Sequence, residues 1–389
     1  MHYRNTISVF NDKVLFTSSG IHWDRHDALD GLHCLELNTG RHLWHVRSHN
    51  DANQALIDGT SVYFGDDDGY VYAVDARSGE TEFSERLSAK VCTRPVAIHL
   101  DGTKYVIFLP CDGQAVIFDP ATRRIANTFE VPGYCTVTPV VDPTGDRGNV
   151  LIVANQNGNI FRVAVSLEGA ALEPLVQNIS SQRPEHTHSR YRELSNLQTA
   201  GSELFASYAV SGSENMPLSC YDLVERELKW TSRSKSTERY PIETVGSCRV
   251  DPIITGHLVL ATFSYSAYLY AFSRETGLEE WRIKLDSGMS QNWSSPKLFE
   301  SYALVPRVNG VIHKIDIERP KLVGSISVVV PGMIHDGDEV YGDRGLERVG
   351  PGPERGLKGG IASTPEVTRD LTIVGTVSGD LFAFDNRRW

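Results

Sequence analysis

The stretch Gly69–Phe83, GYVYAVDARSGETEF, decides the fold. Its YVYAVD part alternates with a period of two, as in a β-strand that presents one set of side chains to each of two neighbouring layers. The DARSG part predicts a hairpin loop, in which the Asp75 carboxylate accepts backbone N–H groups and Gly79 adopts a positive φ. Phe83 then falls on the following strand, where a flat ring fills the space between layers that splay outward.

This pattern recurs along the whole chain. The eight copies are Gly31–Trp44, Gly69–Phe83, Gly113–Phe129, Gly158–Val165, Pro217–Trp230, Ala267–Trp281, Gly310–Gly324 and Gly379–Trp389. A second signal, a polar residue followed by Pro and an apolar segment, precedes several copies. It contains Pro95, Pro139, Pro252, Pro296 and Pro365. Because Pro is tolerated where a strand begins, this signal predicts the innermost strand of each unit.

The spacing of the copies predicts an all-β protein, an eight-bladed β-propeller of four-stranded antiparallel blades. We expect residues 1–389 to form a single propeller domain. One blade cannot bury both of its faces, so the ring must close. We therefore expect the N-terminal residues 3–10 to complete the last blade or to meet its edge.

The consensus G-x-h-x-A-h-D-x-x-T-G-x-x-x-W resembles the PQQ-type repeat of quinoprotein alcohol dehydrogenases and BamB-like assembly proteins. The resemblance implies the propeller fold and covers nearly the whole chain. It assigns structural roles in the repeat to Gly40, Trp44, Asp75, Gly79, Trp230, Gly277 and Trp281. It does not distinguish the two branches, since the turn and the Trp are structural in both.

Three stretches do not fit the repeat and are predicted to be loop insertions at about 166–196, 231–246 and 328–360. Each lies between an outer strand and the next inner strand, and such connections emerge on one face of a propeller. Insertions gathered on one face favour a binding surface, whereas the alternative is a set of tolerated loops without a role.

Arg, His and Tyr side chains are concentrated in these insertions, and Arg and Tyr are enriched at protein interfaces. The predicted partner-binding residues are Arg183, His186, His188, Arg190, Tyr191, Arg192, Arg233, Arg239, Tyr240, Tyr341 and Arg344. His186 and His188 are also two apart, a spacing at which a strand would let them share a metal; solvated loop histidines are the simpler interpretation.

No catalytic residue set is apparent. The chain has neither a G-x-S-x-G nor a phosphate-loop motif. The resembling dehydrogenases stack their cofactor on a Trp and a disulfide of adjacent cysteines, and no two of the six cysteines here are adjacent. We therefore predict a protein that is not an enzyme, with no cofactor and no metal.

Cys92, Cys135 and Cys248 each precede an inner-strand Pro by three or four residues. A soft-metal site is one interpretation, and small side chains at a crowded strand are the other. Asp66-Asp67-Asp68-Gly69 resembles part of a calcium loop but lacks its later Glu, so an acidic tight turn is predicted.

The formal net charge of −11 disfavours nucleic acid and anionic membrane surfaces. The N-terminus has no signal-peptide pattern, and no apolar stretch is long enough to span a membrane. These features predict a cytoplasmic, bacterial, non-catalytic scaffold that binds one or more protein partners within a multi-component complex. Two alternatives remain open: a PQQ-dependent or quinoprotein-like oxidoreductase, and a BamB-like envelope assembly scaffold.

Overall fold

The structure is a computed structural model. It describes residues 5–19, 26–145, 148–156, 158–176, 192–210, 218–233, 248, 250–263, 266–285, 294–328, 361, 363–376 and 380–388. The described residues form antiparallel β-sheets, and one 3-10 turn, Asn386–Arg388, follows the last strand. No helix in this part of the chain is long and apolar enough to cross a membrane.

Eight sheets follow one another along the described chain, and in each the strands pair in sequence order. The first sheet contains β1 (Ile7–Phe10), β2 (Lys13–Ser19), β3 (Asp30–Glu36) and β4 (His42–Arg47). The second contains β5 (Leu56–Asp58), β6 (Ser61–Gly65), β7 (Tyr70–Asp75) and β8 (Thr81–Arg86). The third contains β9 (Val96–Leu100), β10 (Thr103–Phe108), β11 (Gln114–Asp119) and β12 (Arg124–Glu130). The fourth contains β13 (Val140–Val141), β14 (Val150–Ala154), β15 (Ile160–Ser166) and β16 (Gly169–Val176).

The fifth sheet contains β17 (Arg192–Ala200), β18 (Glu203–Val210), β19 (Leu218–Asp222) and β20 (Glu227–Thr231). The sixth contains β21 (Ile253–Ile254), β22 (Leu258–Thr262), β23 (Tyr268–Ser273) and β24 (Glu279–Lys284). The seventh contains β25 (Lys297–Phe299), β26 (Tyr302–Pro306), β27 (Val311–Asp316) and β28 (Lys321–Ser327). The eighth has three strands among the described residues, β29 (Glu366–Val367), β30 (Leu371–Gly375) and β31 (Leu381–Asp385).

The chain divides into two compact units. Unit 1 comprises Met1–His186, Arg192–Ala206 and Tyr221–Glu227, and so contains the first four sheets. Unit 2 comprises Thr187–Tyr191, Ser207–Cys220 and Leu228–Trp389, and contains the sixth, seventh and eighth. The single domain expected for residues 1–389 stays a prediction.

Alternate side chains of β7 pack into two different hydrophobic cores. Tyr72 and Val74 pack with residues of the first sheet. Val71 and Ala73 pack with residues of the third sheet. Each blade therefore contributes alternate side chains to the cores on its two sides, as the sequence predicts.

The hairpin between β7 and β8 has the predicted geometry. The Asp75 carboxylate accepts hydrogen bonds from the backbone N–H groups of Arg77 (2.9 Å) and Ser78 (2.8 Å). These bonds, that from Ser78 above all, hold the pKa of Asp75 below its ordinary value. Gly79 has a φ of 75° and donates its N–H to the Asp75 carbonyl.

The Trp of one blade packs on the hairpin glycine of the next. A Cβ added at Gly79 would lie 2.6 Å from Cδ2 of Trp44, which belongs to the preceding sheet. A Cβ at Gly277 would lie 2.6 Å from Cε3 of Trp230. Trp281 lies half-buried against the core of the sixth and seventh sheets. This confirms that the repeat aromatics fill the space between blades.

All five inner-strand prolines are followed directly by the first strand of a sheet, as predicted. These strands are β9, β13, β21, β25 and β29. A Pro just before the strand loses no ladder hydrogen bond.

Two predicted boundaries are wrong. Residues Gly169–Val176 of the first predicted insertion form β16, the outer strand of the fourth sheet, and Arg192 begins β17. This outer strand has no aromatic residue, so the repeat pattern missed it. The N-terminal strand Ile7–Phe10 pairs with β2 as the first strand of its own sheet, so it does not complete the eighth; the alternative, that the N-terminal residues meet the edge of the last blade, stays a prediction.

Candidate functional site

The turn between β6 and β7 is built around the buried carboxylate of Asp66. Its Oδ1 accepts the backbone N–H groups of Asp68 (3.0 Å) and Tyr70 (2.8 Å). Its Oδ2 accepts the Tyr72 hydroxyl (2.9 Å) and the backbone N–H of His49 (3.0 Å). Burial raises the pKa of Asp66 although these bonds favour its charged form. The predicted acidic tight turn is confirmed, and its hydrogen bonds fix the connection that leads from β4 into the second sheet.

Aromatic and cationic side chains stack beside this turn. The exposed His49 ring lies on the Tyr70 ring, with centroids 3.6 Å apart and an interplanar angle of 3°. The Arg86 guanidinium carbon lies 5.9 Å from the centroid of the Tyr70 ring, and Arg86 Nε donates to the Asp68 carbonyl at 3.2 Å. The stack therefore places an imidazole, a phenol and a guanidinium at one end of the second sheet in fixed positions.

A second set of polar residues joins this turn to the third sheet. Asn53 Nδ2 donates to the Asp67 carboxylate (2.8 Å) and to the Val91 carbonyl (3.1 Å). Beside it, Asp51 is fully buried, and neither of its carboxylate oxygens has a hydrogen-bond partner. Burial, with the nearby charges of Asp67 and Asp30, raises the pKa of Asp51 to about 8. Asp51 is thus held in its neutral form over most of the pH range in which other carboxyl groups are ionised.

Lys90, Cys92, Cys111 and Tyr134 come together where the third sheet meets the segments on either side of it. The Sγ atoms of Cys92 and Cys111 are 2.7 Å apart. Hydrogen bonds from Cys92 and Tyr134 and the nearby charge of Lys90 lower the pKa of Cys111 to about 7, although burial opposes this. For Lys90, burial disfavours the charged form, but the carboxylate of Asp67 raises its pKa.

These groups form one continuous surface within unit 1, which we call the turn surface. It comprises His49, Asp67, Asp68, Tyr70, Arg86, Lys90 and Tyr134. Tyr134 is 43% exposed, so its ring is accessible to a partner. Rigid aromatic and Arg side chains among mixed charges are the composition of protein-binding surfaces.

Comparison with known proteins supports the architecture. A family model described as outer membrane protein assembly factor BamB matches residues 6–190. The crystal structure of BamB from Moraxella catarrhalis superposes with a TM-score of 0.64 at 13% identity, covering 98% of this chain and 96% of that one. The chain is a β-propeller, and its residues 6–190 match a model of PQQ-type repeats. It has eight blades, which confirms the predicted fold class.

A designed protein has the same fold as this propeller. The computationally designed Ika8 protein also superposes with a TM-score of 0.64, at 11% identity over 98% of this chain and 96% of that one. At these identities the likeness shows the fold alone. No curated protein matches the propeller in sequence.

Most predicted partner-binding residues of the propeller lie outside the described residues. These are Arg183, His186, His188, Arg190, Tyr191, Arg239, Tyr240, Tyr341 and Arg344. Arg192 begins β17 rather than belonging to a loop. Arg233 forms a bridge, since its N–H donates to the Gly277 carbonyl (2.9 Å) and its carbonyl accepts the Glu279 N–H (2.8 Å). Its backbone therefore has a structural role, while its side chain is exposed.

The turn surface was missed by sequence reasoning. Tyr70 and Arg86 lie on β7 and β8, whereas its other residues come from connections between strands, where the repeat pattern has no fixed residue. The buried residues beside it had only a positional signal: Asp51 and Cys92 each lie shortly before the first strand of a sheet, and Asp66 and Cys111 each follow a second strand. In the part of the chain that the structure describes, no three His, Cys, Asp or Glu side chains form a metal-binding group.

Proposed function

We propose that this propeller is a non-catalytic scaffold that binds a protein partner, and that the partner contacts the turn surface. The observation that carries the proposal is the fixed stack of His49, Tyr70 and Arg86, next to Lys90 and the exposed Tyr134. Such side chains lose little conformational freedom on binding, so they favour association.

The similarity to BamB supports the same function. The family model that matches residues 6–190 is that of an outer membrane protein assembly factor, which supports a role in contacts with other proteins. The repeat also occurs in quinoprotein dehydrogenases, so the fold alone does not separate the two functions. Among the buried ionisable groups, both carboxylate oxygens of Asp66 accept hydrogen bonds that hold the turn, which is a structural role.

The remainder of the first predicted insertion follows the outer strand of the fourth sheet. β16 ends at Val176, which pairs with Ile160, the first residue of β15. The outer strand β16 therefore ends at the end of the fourth sheet where its third strand, β15, begins. The β6–β7 turn lies at the corresponding end of the second sheet. We propose that Arg183–Arg192 contributes to the same partner contact.

The test is affinity purification from the native cell with identification of co-purifying proteins. The surface variant combines Arg86→Ala with Tyr134→Ala. The matched control combines Arg77→Ala with Leu167→Ala; Leu167 is also 43% exposed, and both control residues lie in hairpins at the opposite ends of their sheets. We expect the wild type and the control to retain one stoichiometric partner, and the surface variant to lose at least about 1–2 kcal/mol of binding free energy.

Two results would contradict the proposal. Equal capture by the surface variant would remove the turn surface from the partner interface. A purified protein that carries bound quinone and calcium, seen by absorbance and elemental analysis, would favour the oxidoreductase alternative instead.

A further inference from the structure

We propose that Cys92 and Cys111 form a reversible disulfide, and that this thiol pair is a site of oxidation by hydroperoxides. The two Sγ atoms are 2.7 Å apart, against about 2.05 Å in a disulfide bond. Both residues are buried cysteines that form no disulfide in the structure. The proposal is independent of partner binding.

The backbone on both sides of the pair is already held in place. The Cys111 N–H donates to the Lys90 carbonyl at 2.8 Å, and the Thr93 hydroxyl donates to the Leu109 carbonyl at 2.9 Å. The first bond joins Cys111 to Lys90, which lies two residues before Cys92. The second joins Thr93, directly after Cys92, to Leu109, which lies two residues before Cys111. A disulfide therefore needs a small movement of two side chains and no rearrangement of the fold.

The surroundings of Cys111 favour a reactive thiolate. The hydrogen bond from Cys92 above all, then that from Tyr134 and the positive charge of Lys90, stabilise the anion. Cys34 and Cys135 differ in this respect. Burial raises the pKa of Cys34 to about 11, and it raises that of Cys135 to about 12. Cys135 is also near the pair, since its N–H donates to the Cys111 carbonyl.

The reaction takes two steps. The Cys111 thiolate attacks one oxygen of hydrogen peroxide, the O–O bond breaks, and a sulfenic acid and hydroxide form. The Cys92 sulfur then attacks the Cys111 sulfur, the S–O bond breaks, and a second hydroxide leaves. The hydroxides take up the two thiol protons, so two thiols are oxidised to one disulfide while one peroxide is reduced to two waters.

The chain offers a direct measurement. Trypsin separates the thiols, because Cys92, Cys111 and Cys135 fall in the peptides 91–104, 105–123 and 125–147. The full-length protein is treated with hydrogen peroxide, its remaining thiols are alkylated, and the peptides are analysed by mass spectrometry. We expect peptides 91–104 and 105–123 to be joined by a bond that dithiothreitol cleaves. From the two pKa values, Cys111 is expected to react on the order of 100-fold faster than Cys34.

Two variants complete the test. In Cys92→Ser, the Cys111 sulfenic acid should persist and be trapped by dimedone, whereas Cys135→Ser should form the disulfide as the wild type does. Oxidation of Cys111 no faster than of Cys34 would overturn the proposal. A disulfide between Cys111 and Cys135 in the wild-type protein would also overturn it. The same holds if both Cys92 and Cys111 are still alkylated after treatment with peroxide. The wild-type measurement decides the matter even if a variant folds poorly.

Discussion

Single residues in the hairpins of this propeller have roles that their neighbours in space determine. Gly40 and Gly79 occupy the same position in the first and second sheets, with φ values of 69° and 75°. Gly40 has no atom near its missing Cβ, whereas Gly79 has the Trp44 ring there. The two glycines thus separate the cost of backbone strain from the cost of a steric clash.

We expect Gly40→Ala to lower the free energy of unfolding by about 1–2 kcal/mol, because an L-residue is strained at positive φ. Gly79→Ala should lower the free energy of unfolding by about 1–3 kcal/mol more than Gly40→Ala does, since the new methyl group displaces Trp44. Urea unfolding followed by tryptophan fluorescence measures both. Equal losses would show that Trp44 does not pack tightly on this turn.

The raised pKa of Asp51 predicts how the free energy of unfolding depends on pH. Its pKa is raised to about 8 from an ordinary value of 3.8, so between these values the folded protein keeps a proton that the unfolded chain releases. Wild-type stability should therefore fall as pH rises through this range, by at most about 1.4 kcal/mol per pH unit. Asp51→Asn removes this dependence.

The measurement is urea unfolding of wild type and Asp51→Asn at several pH values from 4 to about 8. The stability of the variant relative to the wild type should increase with pH. Asp68→Asn, at an exposed residue of the neighbouring turn, is the control and should follow the wild type. A difference that stays constant with pH would mean that Asp51 is ionised in the folded protein.

At the scale of elements, the contact between neighbouring blades depends on one Trp and one hairpin. Trp230 is buried, and its Nε1 donates to the Arg274 carbonyl of the next sheet at 2.8 Å. Trp44 makes the corresponding ring contact, but its buried Nε1 has no acceptor. The same blade contact therefore exists with and without a hydrogen bond.

We expect Trp230→Phe to be more destabilising than Trp44→Phe by about 1 kcal/mol or more. The first substitution leaves the Arg274 carbonyl without its donor, while the second removes an unsatisfied buried donor. Differential scanning calorimetry of the two variants makes the comparison. A larger loss in Trp44→Phe would assign the stabilisation to ring packing alone.

At the scale of the whole molecule, the question is whether residues 1–389 unfold as one domain. The boundary between the two compact units falls within the segments of the fifth sheet, with Arg192–Ala206 in unit 1 and Ser207–Cys220 in unit 2. From the repeat in the sequence we expect a single cooperative unfolding transition.

The test uses one destabilising substitution in each unit, Gly79→Ala in unit 1 and Gly277→Ala in unit 2. In a single domain both lower the midpoint of the same thermal transition. Two transitions, each shifted by only one of the variants, would show that the units are independent domains.

The sequence by itself determined the repeat, and with it the number of blades, the order of strands and the hairpins. These features depend on residues close together in the chain, such as Asp75 and Gly79, whose turn chemistry is local. Where a local pattern was weak, as in Gly169–Val176 without an aromatic residue, the same reasoning placed a loop over a strand.

Only the tertiary structure decided which side chains of the connections meet. Cys92 contacts Cys111, and Asp51 lies near Asp30 and Asp67. Each pairing joins residues of different connections, whose residue types the repeat does not specify. Burial and neighbouring charge then set the pKa of Asp51 and Cys111, because desolvation and Coulomb interactions depend on three-dimensional surroundings rather than on residue type.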